Sequence, residues 1–166
     1  LPSDAMDFVL PGNEIGIAKY CFYVRRNDPW KYTGIPSLAG KKIGAVNGYS
    51  YSAQLDPFLL ENKAVELVSG GDAARKNVKK LVAGHIDTFI ENAAVVASLG
   101  PQEPGVEKIE EAGCQMDEIG KLYISFGPND PKSQEYAKIL SDGIDEMRSS
   151  GELKEILAKY GLTDWK

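Results

Sequence analysis

Leu38 to Tyr51 reads LAGKKIGAVNGYSY, a turn, a short strand, a glycine turn and the approach to a helix. Ile43, Ala45 and Val46 make a small apolar run between Gly40 and Gly48, short enough for a buried strand, with Ser50 or Ser52 placed to cap the next helix. A strand-to-helix turn presents unpaired backbone amides. With the positive end of the helix and a hydroxyl side chain, they form a socket for a carboxylate or another small anion. The same stretch also reads as an ordinary βα turn with no ligand at all.

Working outward, Leu55, Phe58 and Leu59 carry helical spacing, with Pro57 kinking that helix or restarting it behind Asp56. Ala64 to Val68 reads as a strand. Gly70, Gly71 and Asp72 then supply a turn and an N-cap for a helix with Val78, Leu81 and Val82 on one face, closed by Gly84. Ile86 to Ile90 is the next strand and Asn92 to Leu99 a short helix. The alternation β, α, β, α, β, α predicts an α/β fold, a mostly parallel sheet flanked by helices.

Before that core, residues 1–16 hold Pro2, Pro11, Gly12 and Gly16 around one apolar run, and read as a connector. Ile17 to Val24, IAKYCFYV, reads as a strong strand. The loop after it carries Trp30 and Tyr32, which either line a cleft or cover a core edge. Beyond Leu99, Val106 to Ile109 reads as a strand and Lys121 to Phe126, KLYISF, as another, predicted to form an antiparallel crossover pair with 17–24. Asp130 and Pro131 then start a long helix with Tyr136, Ile139, Leu140, Ile144 and Met147 at helical intervals. A second helix begins after Gly151, with Leu153, Ile156, Leu157 and Tyr160 in its stripe. Two such helices with no further strand need a partner surface.

The 166 residues suffice for one core or one domain plus pieces of another. A net charge of −5 with interspersed signs argues against nucleic acid, which demands clustered Lys and Arg. No apolar run reaches the roughly 20 residues needed to cross a bilayer. The first residue is Leu, so the numbered chain is expected to start after a removed segment. Cys21 and Cys114 have no His or Cys at metal-ligand spacing and read as free or buried thiols rather than a disulfide. No metal or cofactor site is indicated. Nor does the sequence hold GxSxG, HExxH or a phosphate loop, and its one histidine, His85, falls at a helix-to-strand turn where an exposed polar role is expected.

The order LAGKKIGAVNG, LVAGHID, ISFGPNDP and MRSSGELKEILAKYG resembles the periplasmic solute-binding proteins of the polar amino-acid type (family 3). The resemblance covers nearly the whole chain. It implies a periplasmic-binding-protein type II lobe: residues 1–16 as the crossover from a missing first lobe, 17–120 as the ligand-binding lobe, and 121–166 as the return crossover with two helices that pack on the first lobe. By position it assigns Gly48, Tyr49 and Ser50 to the turn that meets a ligand carboxylate. Asn92 takes a place that is usually Asp, the partner of an amino-acid ammonium, and loses the full charge that strengthens such a bond. Glu91 could supply the charge, but strand neighbours point to opposite faces.

The resemblance further implies binding without turnover in the periplasm, with a small polar or anionic solute passed to the permease of an ABC-type transporter. A sensor lobe of a membrane receptor is the rival reading, followed by a lyase or lytic enzyme on the same fold. A chain ending at Trp165 and Lys166 without a linker is expected to be a free binding protein. Without its first lobe it should bind poorly, and should dimerise, swap elements or leave an apolar patch exposed.

Overall fold

The computed structural model describes residues 7–115 and 120–166. Residues 1–6 of the expected connector and 116–119 of the expected lobe lie outside the described residues. In chain order the elements are β1 (Gly16–Ala18), β2 (Tyr20–Arg25), β3 (Ile43–Val46), α1 (Leu55–Glu61), β4 (Val65–Val68), α2 (Ala73–Val82), β5 (Thr88–Asn92), α3 (Ala93–Leu99), β6 (Ile109–Cys114), β7 (Gly120–Leu122), α4 (Ser133–Ser150) and α5 (Glu152–Ala158). They fall into two compact units, Lys19–Ile119 and Leu1–Ala18 with Gly120–Lys166.

The first unit is a five-stranded sheet in the order β4-β3-β5-β2-β6. β3 is parallel to β4 and β5, while β2 runs antiparallel to both β5 and β6. Four strands therefore point one way and β2 alone the other. Side-chain alternation splits the core into two layers. Cys21, Tyr23 and Phe89 pack with Val78 and Leu81 of α2 and Leu99 of α3. Phe22, Ile43, Ala45 and Ile90 pack with Leu55 and Leu59 of α1 on the opposite face.

Trp30 and Tyr32 cover a core edge. Tyr32 stacks on Phe22 at 4.3 Å between ring centroids, and the Trp30 indole donates to the Ser37 carbonyl. Pro57 falls in the first turn of α1, where its missing N–H has no intrahelical partner to lose. Asp72 precedes α2, but its carboxylate pairs with Lys76 at 2.7 Å instead of capping the helix. His85 is exposed.

The structure departs from several of the sequence expectations. Ile17 to Val24 is not one strand: Gly16–Ala18 forms the crossover pair, and the chain then passes through Lys19, whose carbonyl accepts the Ala93 N–H, into the sheet. Val106 to Lys108 is a 3-10 turn, and the strand begins only at Ile109. Cys21 and Cys114 are disulfide-bonded, with S–S 2.11 Å and Cα–Cα 3.9 Å. They lie directly opposite one another on β2 and β6, a proximity that a separation of 93 residues conceals.

In the second unit β1 pairs antiparallel with β7, matching Gly16 with Leu122 and Ala18 with Gly120. The regular part of the expected strand at 121–126 ends at Leu122, and Phe126 returns only as an isolated bridge to Val9. The first long helix starts at Ser133, two residues after Pro131, with Asp130 accepting the Lys132 N–H. Arg148 grips Asp164 through Nε at 2.8 Å and sits 5.3 Å from the centre of the Trp165 ring, while the Trp165 indole donates to Glu14. The apolar stripe of α4 is only partly covered: Ile144 is buried, but Tyr136 and Ile139 are exposed.

Candidate ligand-binding site

β3 and β5 are adjacent and parallel, and β4 lies on the far side of β3. The chain leaves β3 toward β4 and returns past it to β5, so the carboxyl ends of β3 and β5 face a topological switch point, where open α/β sheets bind ligands. The turn at 47–54 leaves one of these ends and Asn92 stands at the other.

Gly48 has φ of 80°, a left-handed conformation that glycine adopts without strain. It lets Tyr49 N–H return to the Val46 carbonyl at 3.3 Å. The turn does not stay open, because Asp56 reaches back into it. Asp56 Oδ2 accepts the Ser50 hydroxyl at 2.7 Å, and Oδ1 accepts Tyr51 N–H at 2.8 Å and Ser52 N–H at 3.3 Å. Ser52 Oγ in turn accepts Leu55 N–H at 3.0 Å, a reciprocal cap of the start of α1. A carboxylate of the chain itself thus takes the Ser50 hydroxyl and two of the amides of the turn in which the sequence reading expects a socket. The spacing of Ser52 and Asp56 is the signal for this second anion, and a capping pattern could have found it.

Asn92 caps α3, its Oδ1 accepting Ala94 N–H at 2.9 Å. A backbone donor at that oxygen fixes the amide orientation. Nδ2 makes no hydrogen bond among the described residues, so a donor rather than an acceptor is left for a ligand. Glu91 does not supply a charge to the same cleft. Only 1% exposed, it accepts Asn92 N–H at 2.8 Å, and burial pushes its carboxyl up from the ordinary value.

The folded carboxyl of Glu91 thus holds its proton to a higher pH than the unfolded chain does. Its contribution to stability falls as pH rises from the ordinary glutamate value through the raised one. Glu91→Gln is expected to stabilise the protein at pH 8 and to have a smaller effect near pH 4, as read from melting temperature against pH. An equal effect at both pH values would show that Glu91 ionises freely in the fold.

Of the tyrosines, Tyr51 is a strut: its hydroxyl accepts Val46 N–H at 2.7 Å, and its ring meets Tyr20 edge-on at 5.0 Å. Tyr49 is 47% exposed and free to cover a ligand. A cavity of about 230 Å³ opens beside Gly48 and Tyr49, walled by Leu59 and Leu60 of α1 and Leu67 of β4. Ser50 and Asn92 do not line it. The structure therefore places Gly48 and Tyr49 at a cavity, and Ser50 and Asn92 at the neighbouring strand ends.

No protein-family model and no curated protein sequence matches the chain. Solved structures do. The probable amino-acid ABC transporter extracellular-binding protein ytmK of Bacillus subtilis superposes with a TM-score of 0.71 at 18% identity, over 96% of this chain and 67% of that one. The chain has the fold of the amino-acid solute-binding proteins. AbpA of Streptococcus pneumoniae, an amino-acid ABC transporter substrate-binding protein solved bound to L-arginine, matches with a TM-score of 0.65 at 19% identity, over 96% of this chain and 64% of that one. A histidine kinase sensor domain with similarity to periplasmic binding proteins matches with a TM-score of 0.64 at 17% identity, over 95% and 65%. The chain spans about two thirds of the length of these structures with the solute-binding fold.

Proposed function

We propose that this chain supplies one wall of a cleft that binds a small polar or anionic solute, an amino acid or a related metabolite, without turnover. The observation that carries this reading is the placement of the Gly48–Ser50 turn and of Asn92 at the carboxyl ends of neighbouring parallel strands. In this reading the unit Lys19–Ile119 is the ligand-binding lobe, and the remainder, with the β1–β7 pair, supplies the crossovers and the helices that meet a first lobe. That lobe would cover the exposed Tyr136 and Ile139; in its absence a second copy, by pairing or element exchange, would do so. Closure of two lobes on the solute would present it to a membrane permease of an ABC-type transporter in the periplasm. The sensor-domain likeness keeps a second reading, the same cleft reporting ligand to a kinase.

The ligand chemistry rests on the donors. The turn offers the amides that Asp56 does not take, the Ser50 hydroxyl holds the turn in shape by donating to Asp56, and Asn92 offers Nδ2, so a carboxylate or a neutral acceptor fits better than a basic amino acid. A thermal-shift screen of amino acids, organic acids and polar metabolites tests this on the chain joined to a complete first lobe. A small carboxylate or neutral polar solute is expected to give the largest shift, reduced by Ser50→Ala. If a cationic amino acid gives the largest shift and Asn92→Asp weakens it, the assignment of Asn92 is wrong.

A further inference from the structure

On the sheet face that carries Cys21, three ligand-type groups converge. The sulfur atoms of Cys21 and Cys114 and a carboxylate oxygen of Glu111 all lie within 4.8 Å of one another. In a regular strand residues three apart point to opposite faces, so Glu111 and Cys114 of β6 would not meet. The register shift between Phe22 and Tyr23 changes this. Cys114 lies opposite Cys21 and Glu111 opposite Tyr23, two positions of β2 that share a face, so the bulge aims Glu111 back at the sulfurs. Cys21 is buried, Cys114 half-buried and Glu111 exposed, which walls the group on one side and opens it to water on the other.

We propose that Cys21, Cys114 and Glu111 form a three-ligand site for a thiophilic divalent cation, Zn²⁺ above all, when the Cys21–Cys114 bond is reduced. In the disulfide the sulfurs are bonded to each other and the site is closed. A dithiol reductant breaks that bond, passing two electrons and two protons to the two sulfurs and closing to its own disulfide. Zn²⁺ then displaces the two thiol protons to water and takes both thiolates and one Glu111 oxygen. Its fourth position is reached by water from the open side, as in three-ligand zinc sites. Thiolate ligands select zinc over the hard cations Ca²⁺ and Mg²⁺.

Two neighbouring charges leave the trio free to bind. Lys19 Nζ lies 3.8 Å from Glu111 Oε2 with both side chains partly exposed, and such a solvent-reached pair is too weak to hold the carboxylate away from a metal. Glu91, opposite Cys21 on β5, spends its Oε1 on Asn92 N–H and stands outside the trio. The site is independent of the solute cleft, so it stands or falls separately from the proposed function.

The test reduces the protein with a dithiol, removes the reductant under inert gas, and titrates Zn²⁺ against a chromophoric chelator while melting is followed in parallel. One Zn²⁺ per reduced chain is expected, with a higher melting temperature, and none for the oxidised protein. Glu111→Gln should weaken binding roughly tenfold or more, the scale on which groups supporting a metal act, and Cys114→Ala should abolish it. Reduced wild type that binds no Zn²⁺ overturns the site. So does a Glu111→Gln protein that binds like wild type, because the dithiol alone would then account for the metal.

Discussion

Removing the disulfide by the double change Cys21→Ala and Cys114→Ala is expected to cost roughly 4.5 kcal/mol, the largest single loss of stability foreseen for this chain. The bond joins residues 93 apart, and closing a loop of that length lowers the entropy of the unfolded chain by about that amount. The folded state loses little in exchange, since Cys21 and Cys114 already face each other across a β2–β6 ladder that its backbone hydrogen bonds hold. The effect therefore belongs to the unfolded chain. Urea unfolding of oxidised wild type and the double variant should show a large drop in midpoint, with a steeper slope for the variant because its unfolded state is more open. A loss under about 1 kcal/mol would mean that the unfolded chain is constrained by something other than the disulfide.

Gly44→Ala is expected to cost about 2 to 3 kcal/mol, the range for overpacking a tight core. Gly44 sits in β3 between β4 and β5, under α2. An added Cβ there would stand 2.7 Å from Asn77 Oδ1, 2.7 Å from Ile86 Cδ1 and 3.1 Å from Phe89 Cβ. The Ile86 methyl can turn aside, but Asn77 is fully buried and the Phe89 contact is the stem of a packed ring. The glycine is thus required by the close approach of α2 rather than by a turn. Asn77 also has both side-chain amide atoms buried without a hydrogen-bond partner among the described residues, a cost of its own. Asn77→Ala should relieve part of the Gly44→Ala loss, and a double-mutant cycle measures this coupling. Simple additivity would place the strain at Ile86 and Phe89 instead.

Neither the disulfide nor the tight seat at Gly44 has a local signature, whereas the alternation from β3 to α3 was legible in the sequence because each piece is local. An apolar run bounded by Gly40 and Gly48 signals a strand, Gly70, Gly71 and Asp72 signal a turn into a helix, and Gly84 signals that helix's end. The Gly48 turn was legible for the same reason, since its left-handed φ favours glycine. Even the purpose of the Ser52 to Asp56 spacing lies within four residues, although on its own the stretch suggests only a cap and a socket.

What the tertiary structure alone decided depends on residues far apart in the chain. The division at Lys19 comes from the Ala93 N–H that its carbonyl accepts. Glu91 and Asn92 took different tasks because one was paired opposite Cys21 in the sheet while the other capped α3. The tight seat of α2 on Gly44, the disulfide and the bulge that returns Glu111 to it are all outcomes of packing. Local periodicity selects elements, since each element satisfies its own backbone hydrogen bonds and turns. Register and side-chain pairing are selected only when strands from distant parts of the chain compete for the same core.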